Sequence, residues 1–385
     1  MKIGIITQPL KYNYGGLLQN YALQQVLMRL GHSPETIDWR PRKSNPIINL
    51  IWETKKWLLW RCGITSERLR YKLTKEEASV IMQHTDYFIK KYIVNCPDCA
   101  TSKEEFHNIA KKYRYDGYIV GSDQVWRPCY AGGFMDEMFL SFVESTKNIR
   151  RMAYAASFGV SKWEFTPEQT KRYTALAQKF NLVTVREDSA VRLCNDFLGV
   201  DAIHVLDPTM LLSKQDYEKL VIVENEKKHK GTLFQYILDP SDYKNSLIKE
   251  LCLKEGLESF TVLPKYQAEN RKKKDVKEHL QECVYPSVTS WLQAFVDAKM
   301  VLVDSFHGAV FSIIFNKPFW VVDNGHRGNA RFESLLGMFH LEDRLITPDK
   351  INEIKWDKPI NWGIVNKLLE KERERCQKLL SDSVQ

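Results

Sequence analysis

The most specific chemical motif in the sequence is a short apolar run, Val301–Val303, that ends in Asp304 and Ser305 and is followed by His307 and Gly308. The residues after Gly308 are apolar, so His307 is predicted in the first turn of a helix, where the positive end of the helix dipole disfavours the imidazolium. Gly308 would let a ligand approach the helix N-terminus. A histidine placed in this way can transfer a proton near neutral pH. The alternative is a buried histidine that only caps the helix.

Arg186 stands at the end of another apolar run and is followed by Glu187, Asp188 and Ser189. Asp188 or Ser189 would cap the next helix, which leaves Arg186 unexplained by capping. A guanidinium held at the end of a strand can make two parallel hydrogen bonds to a carboxylate or a phosphate. The alternative is a salt bridge from Arg186 to Glu187 or Glu164.

Two further polar turns follow predicted strands. In one, Asn13 precedes Gly15 and Gly16 directly before a helix, and the glycines either leave room for a ligand or make a tight turn. In the other, Ser122 and Asp123 either contact a ligand or cap a helix. Ligands of parallel sheets bind beyond the carboxyl ends of the strands, so all four turns supply candidate contacts. Beside the catalytic candidates His307 and Arg186, the candidate substrate-binding residues are Asn13, Gly15, Gly16, Ser122, Asp123, Glu187, Asp304, Ser305 and Gly308.

The composition is that of a globular protein. Of 385 residues, 44% are hydrophobic and 27% are charged, which excludes collagen-like and largely disordered chains. The net charge of +8 is not concentrated enough to predict nucleic acid as a partner, and acidic small molecules, phosphates or an anionic membrane explain it equally well. The eight cysteines are scattered, and the lone pair Cys96 and Cys99 lacks the four ligands of a structural zinc. We therefore predict no metal site.

The elements that must position these residues alternate between short β-rich runs and helical patterns, which is typical of parallel α/β sheets. The pattern predicts a first domain at 1–212, a charged linker at 213–230, a second α/β domain at 231–360, and a C-terminal helix at 361–385 that returns to the first domain. The predicted strands are Ile3–Thr7, Thr36–Trp39, Tyr118–Gly121, Ala153–Ser157, Leu182–Val185, Ile203–Leu206, Leu233–Ile237, Ser259–Val262, Met300–Val303 and Trp320–Val322. The predicted helices are Leu17–Leu30, Pro167–Lys179, Ser189–Phe197, Ser246–Glu255, Trp291–Ala298 and Trp362–Leu380.

One segment, residues 47–60, could make a peripheral membrane contact. It carries Trp52, Trp57 and Trp60 among basic residues, which suits the headgroup layer of a bilayer, although a lid or a packed helix explains it too. No stretch approaches the ~20 apolar residues of a membrane span, and the N-terminus has the pattern of a first strand rather than an export signal. We predict a cytoplasmic protein, acting at the inner face of the cell membrane if 47–60 is interfacial.

Together these motifs resemble the polysaccharide pyruvyl transferase family. The resemblance runs over nearly the whole chain in the right order, and it includes the Asn-Tyr-Gly-Gly sequence before the first helix and the pairs Arg327-Gly328 and Arg331-Phe332. The matching stretches are Lys2–Leu30, Tyr115–Trp126, Met152–Gly159, Val183–Ser189, Val205–Leu211, Ala298–Pro318 and Asn324–Leu336.

The resemblance implies a fold similar to the GT-B glycosyltransferases, in which two Rossmann-like domains face a cleft. It also implies transfer of a carboxyvinyl unit from phosphoenolpyruvate, as co-substrate, to two hydroxyls of a sugar, which closes a cyclic ketal and releases phosphate. The acceptor would belong to a cell-surface polysaccharide or its lipid-linked oligosaccharide precursor. His307 would transfer a proton, Arg186 would hold an anionic group of the donor, and Arg327 would be a second anion clamp. This chemistry demands neither a metal nor another cofactor.

Two other functions would use the same architecture. A glycosyltransferase would take a nucleotide sugar; the Glu-x7-Glu pair that often holds the donor in retaining enzymes of this fold is absent between Met300 and Leu345, but inverting enzymes lack it too. A non-catalytic glycan-binding relative would keep the cleft without the chemistry. The presence of Arg186 and His307 argues against this last possibility.

Overall fold

Two parallel β-sheets form the framework of the protein. The computed structural model describes residues 1–40, 54, 71–143, 148–267, 272–323, 329–348 and 354–384. In the described residues the first sheet has the order β2-β1-β3-β4-β5-β6 and the second has the order β11-β10-β9-β7-β8, with every pairing parallel. The strands are β1 Lys2–Ile6, β2 Ser33–Thr36, β3 Gly117–Val120, β4 Arg150–Ala156, β5 Leu182–Val185, β6 Ile203–His204, β7 Leu233–Tyr236, β8 Ser259–Phe260, β9 Met300–Val303, β10 Phe319–Val322 and β11 Leu345–Ile346.

Helices connect most of these strands, as parallel pairing requires. They are α1 Tyr14–Arg29, α2 Lys75–Ile81, α3 Gln83–Tyr92, α4 Lys103–Tyr113, α5 Met135–Met138, α6 Pro167–Ala177, α7 Asp188–Leu193, α8 Lys214–Val223, α9 Asp242–Glu255, α10 Lys273–Glu278, α11 Val288–Asp297, α12 Phe306–Ile314, α13 Ala330–Met338 and α14 Trp362–Ser383. Side-chain caps fix where several of them begin; at α6, Thr166 and Gln169 form a reciprocal capping box. None of the described helices is both long and apolar enough to cross a membrane.

The C-terminal helix α14 returns to the first domain, as predicted. The Arg373 Nε donates to the carbonyl of Met210 at 2.9 Å, and the Gln377 amide donates to the carbonyl of Leu211 at 2.9 Å. The buried Cys376 accepts a hydrogen bond from the backbone N–H of Leu206. The last helix of the chain therefore completes the core of the first domain.

The largest hydrophobic core extends through both domains. Tyr14 of α1 packs against Tyr285 and Trp291 of the second domain, with ring centroids 6.5 and 5.8 Å away, and its hydroxyl donates to the carbonyl of Pro286 at 2.9 Å. Since these contacts are buried, they hold the start of α1 against the second domain. The fold thereby brings the carboxyl ends of strands from both sheets to one interface.

The predicted fold class is confirmed, but several elements differ from the sequence pattern. Strand β2 begins at Ser33 and includes Pro34, because it is an edge strand where proline costs no ladder hydrogen bond. The predicted linker at 213–230 contains helix α8, which starts from a capping box at Ser213 and buries Tyr217 and Leu220. The strand at 345–346 and the helices α2 to α5, α10 and α13 were not predicted. The domain limits themselves remain a prediction, and the proposed membrane segment 47–60 lies outside the described residues apart from Thr54.

Candidate active site

A cluster of buried charged side chains lies where the two domains meet. We call it the ionic cluster and define it by five residues. Asp123 follows β3, Arg186 follows β5 and Asp207 follows β6 in the first domain, while His307 follows β9 and Arg331 lies in α13 of the second domain. Each is at least nine-tenths buried. Such a concentration of charge at the carboxyl ends of parallel strands is typical of a binding or catalytic site.

Arg186 is held by two carboxylates of its own domain. Its Nη1 lies 3.1 Å from Oδ2 of Asp207, and its Nη2 lies 3.2 Å from Oδ1 of Asp123. Burial opposes the charge of Arg186, but the two aspartates outweigh it and raise the pKa of the guanidinium. The salt-bridge partners that the sequence suggested were wrong, because Glu164 pairs with Arg127 and Glu187 has other contacts. Arg186 is thus charged and fixed in orientation.

Asp207 is the centre of the cluster, and the sequence did not single it out. Its Oδ1 accepts hydrogen bonds from the Thr209 N–H at 3.1 Å and the Thr209 hydroxyl at 2.7 Å. Its Oδ2 accepts from the Ser122 hydroxyl at 2.9 Å and faces Arg186 and His307. Burial by itself would raise the pKa of Asp207, but His307, Arg186 and the Thr209 hydroxyl hold it well below its usual range. Asp207 is therefore an anion that orients its neighbours.

Asp123 provides the second carboxylate. It has φ of +73°, a left-handed conformation that aspartate tolerates better than most residues. Burial would raise its pKa, but Arg186, His307 and Arg331 together lower it. The cluster therefore combines two anionic groups with cationic groups from both domains.

His307 projects from the first turn of α12 into this interface. Its Nε2 lies 3.6 Å from Oδ2 of Asp207 and has no hydrogen-bond partner among the described residues, although the side chain is largely buried. The imidazole packs directly on Gly15 in the first turn of α1, where an added Cβ would come within 2.2 Å of the His307 Cγ. The first turns of α1 and α12 therefore meet at this ring, and a glycine is required at position 15.

Phe306 lies near two guanidinium groups. The Arg186 Cζ lies 4.4 Å and the Arg331 Cζ lies 5.9 Å from the centre of its ring. Both distances are within the range of cation–π attraction. The pKa of Arg331 is lowered to about 10, mainly because the side chain is buried and secondly because Arg186 repels its charge. A bound anion near Arg331 would offset both effects.

The other predicted residues fall into two groups. Ser122 and Gly15 contribute to the cluster, whereas Asn13 caps α1 by accepting the Gly16 N–H at 3.2 Å and Ser305 caps α12 by accepting the Gly308 N–H at 3.1 Å. A Cβ on Gly308 would lie 2.7 Å from Val303, so this glycine allows α12 to pack on β9 rather than admitting a ligand.

Glu187 and Asp304 stabilise loops behind the cluster. One carboxylate oxygen of Glu187 accepts the N–H groups of Phe158 and Gly159 at 2.9 and 3.0 Å. Asp304 accepts two backbone N–H groups, at Leu238 and Asp239, and pairs with Lys244 at 2.6 Å. These contacts give both residues a structural role. Arg327 lies outside the described residues.

Asp207 and Arg331 could have been found by different signals. Asp207 begins an Asp-Pro-Thr sequence directly after the predicted strand Ile203–Leu206, and the rule that selected Arg186 at the end of its strand applies equally to it. Arg331 lies in the first turn of a helix, where no strand-end rule selects it, and its signal in the sequence is the Arg331-Phe332 pair of the family resemblance. Among the described residues, no group of three or more His, Cys, Asp or Glu side chains is arranged to hold a metal ion.

Solved structures of other proteins share the fold. UDP-GlcNAc 2-epimerase from Methanocaldococcus jannaschii, in complex with UDP-GlcNAc and UDP, gives a TM-score of 0.50 at 12% identity over 99% of each chain. Another structure of that enzyme gives 0.50 at 15% identity, again over 99% of each chain. The epimerase from Neisseria meningitidis bound to UDP-GlcNAc gives 0.48 at 10% identity, over 100% of this chain and 99% of that one. At these identities the likeness concerns the fold alone. No curated protein sequence gives a significant match.

Two parallel-sheet α/β domains with charged groups at their interface define a protein of the GT-B fold class. The sequence model of the family described as polysaccharide pyruvyl transferase matches residues 13–326, which is most of the chain. The protein belongs to the polysaccharide pyruvyl transferase family, which confirms the resemblance seen in the sequence.

Proposed function

We propose that the protein transfers the carboxyvinyl unit of phosphoenolpyruvate to two hydroxyls of a sugar in a cell-surface polysaccharide or its lipid-linked precursor. The observation that carries this proposal is the buried Nε2 of His307, which faces Asp207 and makes no hydrogen bond to the described residues. The 3.6 Å separation exceeds a hydrogen bond, so Nε2 is held near Asp207 without being bound to it, and we assign it to contact with a substrate atom. The family membership supplies the reaction class.

The proposed reaction balances with two proton movements. Two sugar hydroxyls add to C2 of the donor, the C2–O bond to phosphate breaks, and the methylene carbon gains a proton to become the ketal methyl group. The two hydroxyls lose two protons: one proton is added to the methylene carbon, and the other leaves with the phosphate. In this scheme His307 transfers protons at Nε2, and the Asp207 carboxylate orients the ring and stabilises its charged form.

The anionic groups of the donor require cations, and two arginines are suitable. Arg186 is held by Asp123 and Asp207, so it offers a fixed charge rather than a mobile one. Arg331 also lies near the Phe306 ring, and its pKa is lowered to about 10 by burial and by Arg186. A carboxylate or phosphate near both guanidiniums would relieve this repulsion. We assign Arg331 to donor binding beside Arg186, and Arg327 remains part of the proposal from the sequence.

The proposed location is the cytoplasm, at the inner face of the cell membrane if the acceptor is lipid-linked. The support is the tryptophan-rich and basic composition of residues 47–60. Peripheral binding of this kind requires no membrane-spanning helix.

The test uses the full chain with phosphoenolpyruvate and a mixture of saccharide acceptors. We expect phosphate release that depends on acceptor, together with an acceptor product that carries one ketal-linked pyruvyl group by mass spectrometry. A parallel reaction with UDP-GlcNAc measures UDP release. UDP release without ketal formation would favour a glycosyltransferase, and acceptor binding without either product would favour the non-catalytic alternative.

A further inference from the structure

A cavity of about 380 Å³ lies apart from the ionic cluster and shares no lining residue with it. It is enclosed by helix α3, by the residues after α8 and by the first turn of α11. These elements come from both sides of the predicted linker. Its volume is within the range of small-ligand sites, and an interface between domains is where such sites often occur.

One wall of the cavity is aromatic and the facing wall is polar. Tyr87, Phe88 and Tyr92 of α3 form the first wall, and the centroids of the Phe88 and Tyr92 rings are 5.0 Å apart. The facing wall contains the hydroxyls of Ser287 and Thr289. An aromatic face opposite hydroxyl groups suits a ligand that has both C–H surfaces and hydroxyl groups.

Glu226 provides an acceptor on the polar wall. Both the Ser287 and the Thr289 hydroxyls donate to its Oε1, the latter at 2.6 Å. Among the described residues no donor reaches Oε2 of Glu226 and no cation pairs with this carboxylate. A carboxylate oxygen in this position can accept a hydrogen bond from a ligand hydroxyl.

The charges of the cavity exclude two other kinds of ligand. Glu224 is paired with Lys91 at 2.7 Å, so the additional charge of Glu226 makes the lining acidic and unfavourable for a phosphate or a nucleotide sugar. A cationic ligand would lie close to the Lys91 ammonium, which donates to the Tyr87 hydroxyl at 2.8 Å, and the two positive charges would repel each other. A neutral polyhydroxylated ligand remains.

The cavity is also connected to the wall of the candidate active site. Pro286, immediately before Ser287, accepts the hydrogen bond from the Tyr14 hydroxyl, and the residue after Tyr14, Gly15, lies against His307. The polar lining of the cavity is thus linked to the candidate active site through Pro286 and Tyr14.

We infer that this cavity binds a neutral saccharide unit of the acceptor, separate from the unit that receives the pyruvyl group. That this saccharide is part of the acceptor rests on the proposed function. The binding of a saccharide does not rest on it, because it requires neither phosphoenolpyruvate nor turnover.

The test is saturation-transfer difference NMR on the full chain, without phosphoenolpyruvate. The probes are methyl glycosides of glucose, galactose, mannose and N-acetylglucosamine. We expect at least one to bind, with Kd raised about fivefold or more in Glu226→Gln and in Tyr87→Ala, the loss of about 1 kcal/mol expected for one hydrogen bond or one ring contact. Glu218→Gln on α8, whose carboxylate pairs with Lys214, is the matched control and should bind like the wild type.

Three results would overturn the inference: no glycoside binds the wild-type chain, binding is unchanged in both cavity variants, or inorganic phosphate competes for the site. Melting temperatures of both variants exclude loss of folding, and Glu226→Gln keeps the side-chain shape. If cavity-dependent binding is found but phosphoenolpyruvate is not consumed, the proposed function fails and the saccharide site stands. If ketal product forms but no glycoside binds in a way that depends on the cavity residues, the saccharide site fails and the proposed function stands.

Discussion

His307 and Asp207 come from different domains, and their side chains meet only because those domains are packed together. Asp207 accepts hydrogen bonds from Thr209, Ser122 and Arg186 of its own domain, and its Oδ2, which contacts Arg186, also faces His307. A carboxylate so strongly stabilised remains ionised, so it can hold a protonated imidazole without taking the proton itself. At the scale of single residues, the site is an anion surrounded by groups that it positions.

Replacing His307 by asparagine should separate catalysis from structure. Asparagine retains a hydrogen-bonding head but cannot transfer a proton near neutrality, so we expect kcat to fall by ~10²–10⁴-fold while the Kd of phosphoenolpyruvate stays within several-fold. Single-turnover rates and melting temperatures measured on the same variant provide the check. His279→Asn, at a half-exposed histidine paired with Glu282, is the control. Near-normal turnover in a destabilised protein would reduce His307 to a structural residue.

Arg186→Lys should weaken donor binding even though the charge is kept. A lysine cannot reach Asp123 and Asp207 together, so the guanidinium loses its fixed orientation and one buried carboxylate loses a partner. We expect a raised Kd for phosphoenolpyruvate in calorimetry and a loss of about 1–3 kcal/mol in unfolding free energy. Arg29→Lys, at an exposed pair with Asp216, controls for the substitution. A wild-type donor Kd would remove Arg186 from the donor site.

Acid should destabilise the protein through the two buried aspartates. The pKa values of Asp123 and Asp207 are lowered in the folded state, so the unfolded chain, with values near ~3.9, binds protons first as the pH falls. Their contribution to stability is complete above about pH 5 and is lost as the pH falls through ~4 toward the folded pKa values. Denaturant unfolding from pH 6 to pH 3 should show a shallower decline in Asp123→Asn or Asp207→Asn than in the exposed control Asp382→Asn. Equal slopes in all of them would contradict this account.

Several residues of the cluster can be predicted from the sequence, because polar residues that follow apolar runs are conspicuous. Arg186, His307 and Asp123 are of this kind. Glu187 and Asp304 occupy similar positions in the sequence, yet their side chains bind backbone N–H groups behind the cluster. Which way a side chain points at the end of a strand depends on loops that sequence periodicity does not describe.

At the scale of elements, the decisive contact is between the first turns of α1 and α12. Gly15 and His307 meet there, and neither helix would reveal this contact on its own. The two Rossmann-like halves could be predicted because each strand and helix has a local pattern. The bounds of strand β2 were predicted too late in the chain because it contains Pro34 at a sheet edge. Helix α8 was missed because it lies in a charged segment, although its Tyr217 and Leu220 are buried in the core.

Gly15→Ala should displace the imidazole of His307. The new methyl group would lie 2.2 Å from the ring, so the helices must separate or the ring must turn away. We expect a loss of about 1–3 kcal/mol in unfolding free energy and a large fall in kcat. Gly16→Ala is the matched control, because its Cβ would meet only the Asn13 side chain, at 3.2 Å. The comparison uses unfolding curves and turnover of both variants, and equal behaviour would show that the contact at Gly15 is not restrictive.

At the scale of the whole molecule, helix α14 ties the end of the chain to the first domain. Arg373 donates to the carbonyls of Met210 and Leu212, while Leu380 is fully buried. Arg373→Met would leave these partly buried carbonyls without their donor, and we expect a loss of about 1–3 kcal/mol. Lys378→Met, at an exposed pair with Asp382, should change the melting temperature little. Equal melting temperatures for the two variants would mean that the hydrogen bonds of Arg373 add no stability and that α14 is held on the first domain by its apolar face alone.

The return of α14 also determines how this protein could be recombined with its relatives. The polypeptide order places the helix after the second domain, but its buried surface belongs to the first. A chimera that exchanges everything beyond the linker would pack the C-terminal helix of another protein against the native first domain. The hydrogen bonds of α14 at Leu206 and Met210 would then have to be made by non-native residues. Recombination that respects the physical units therefore needs two crossover points, one on each side of the second domain.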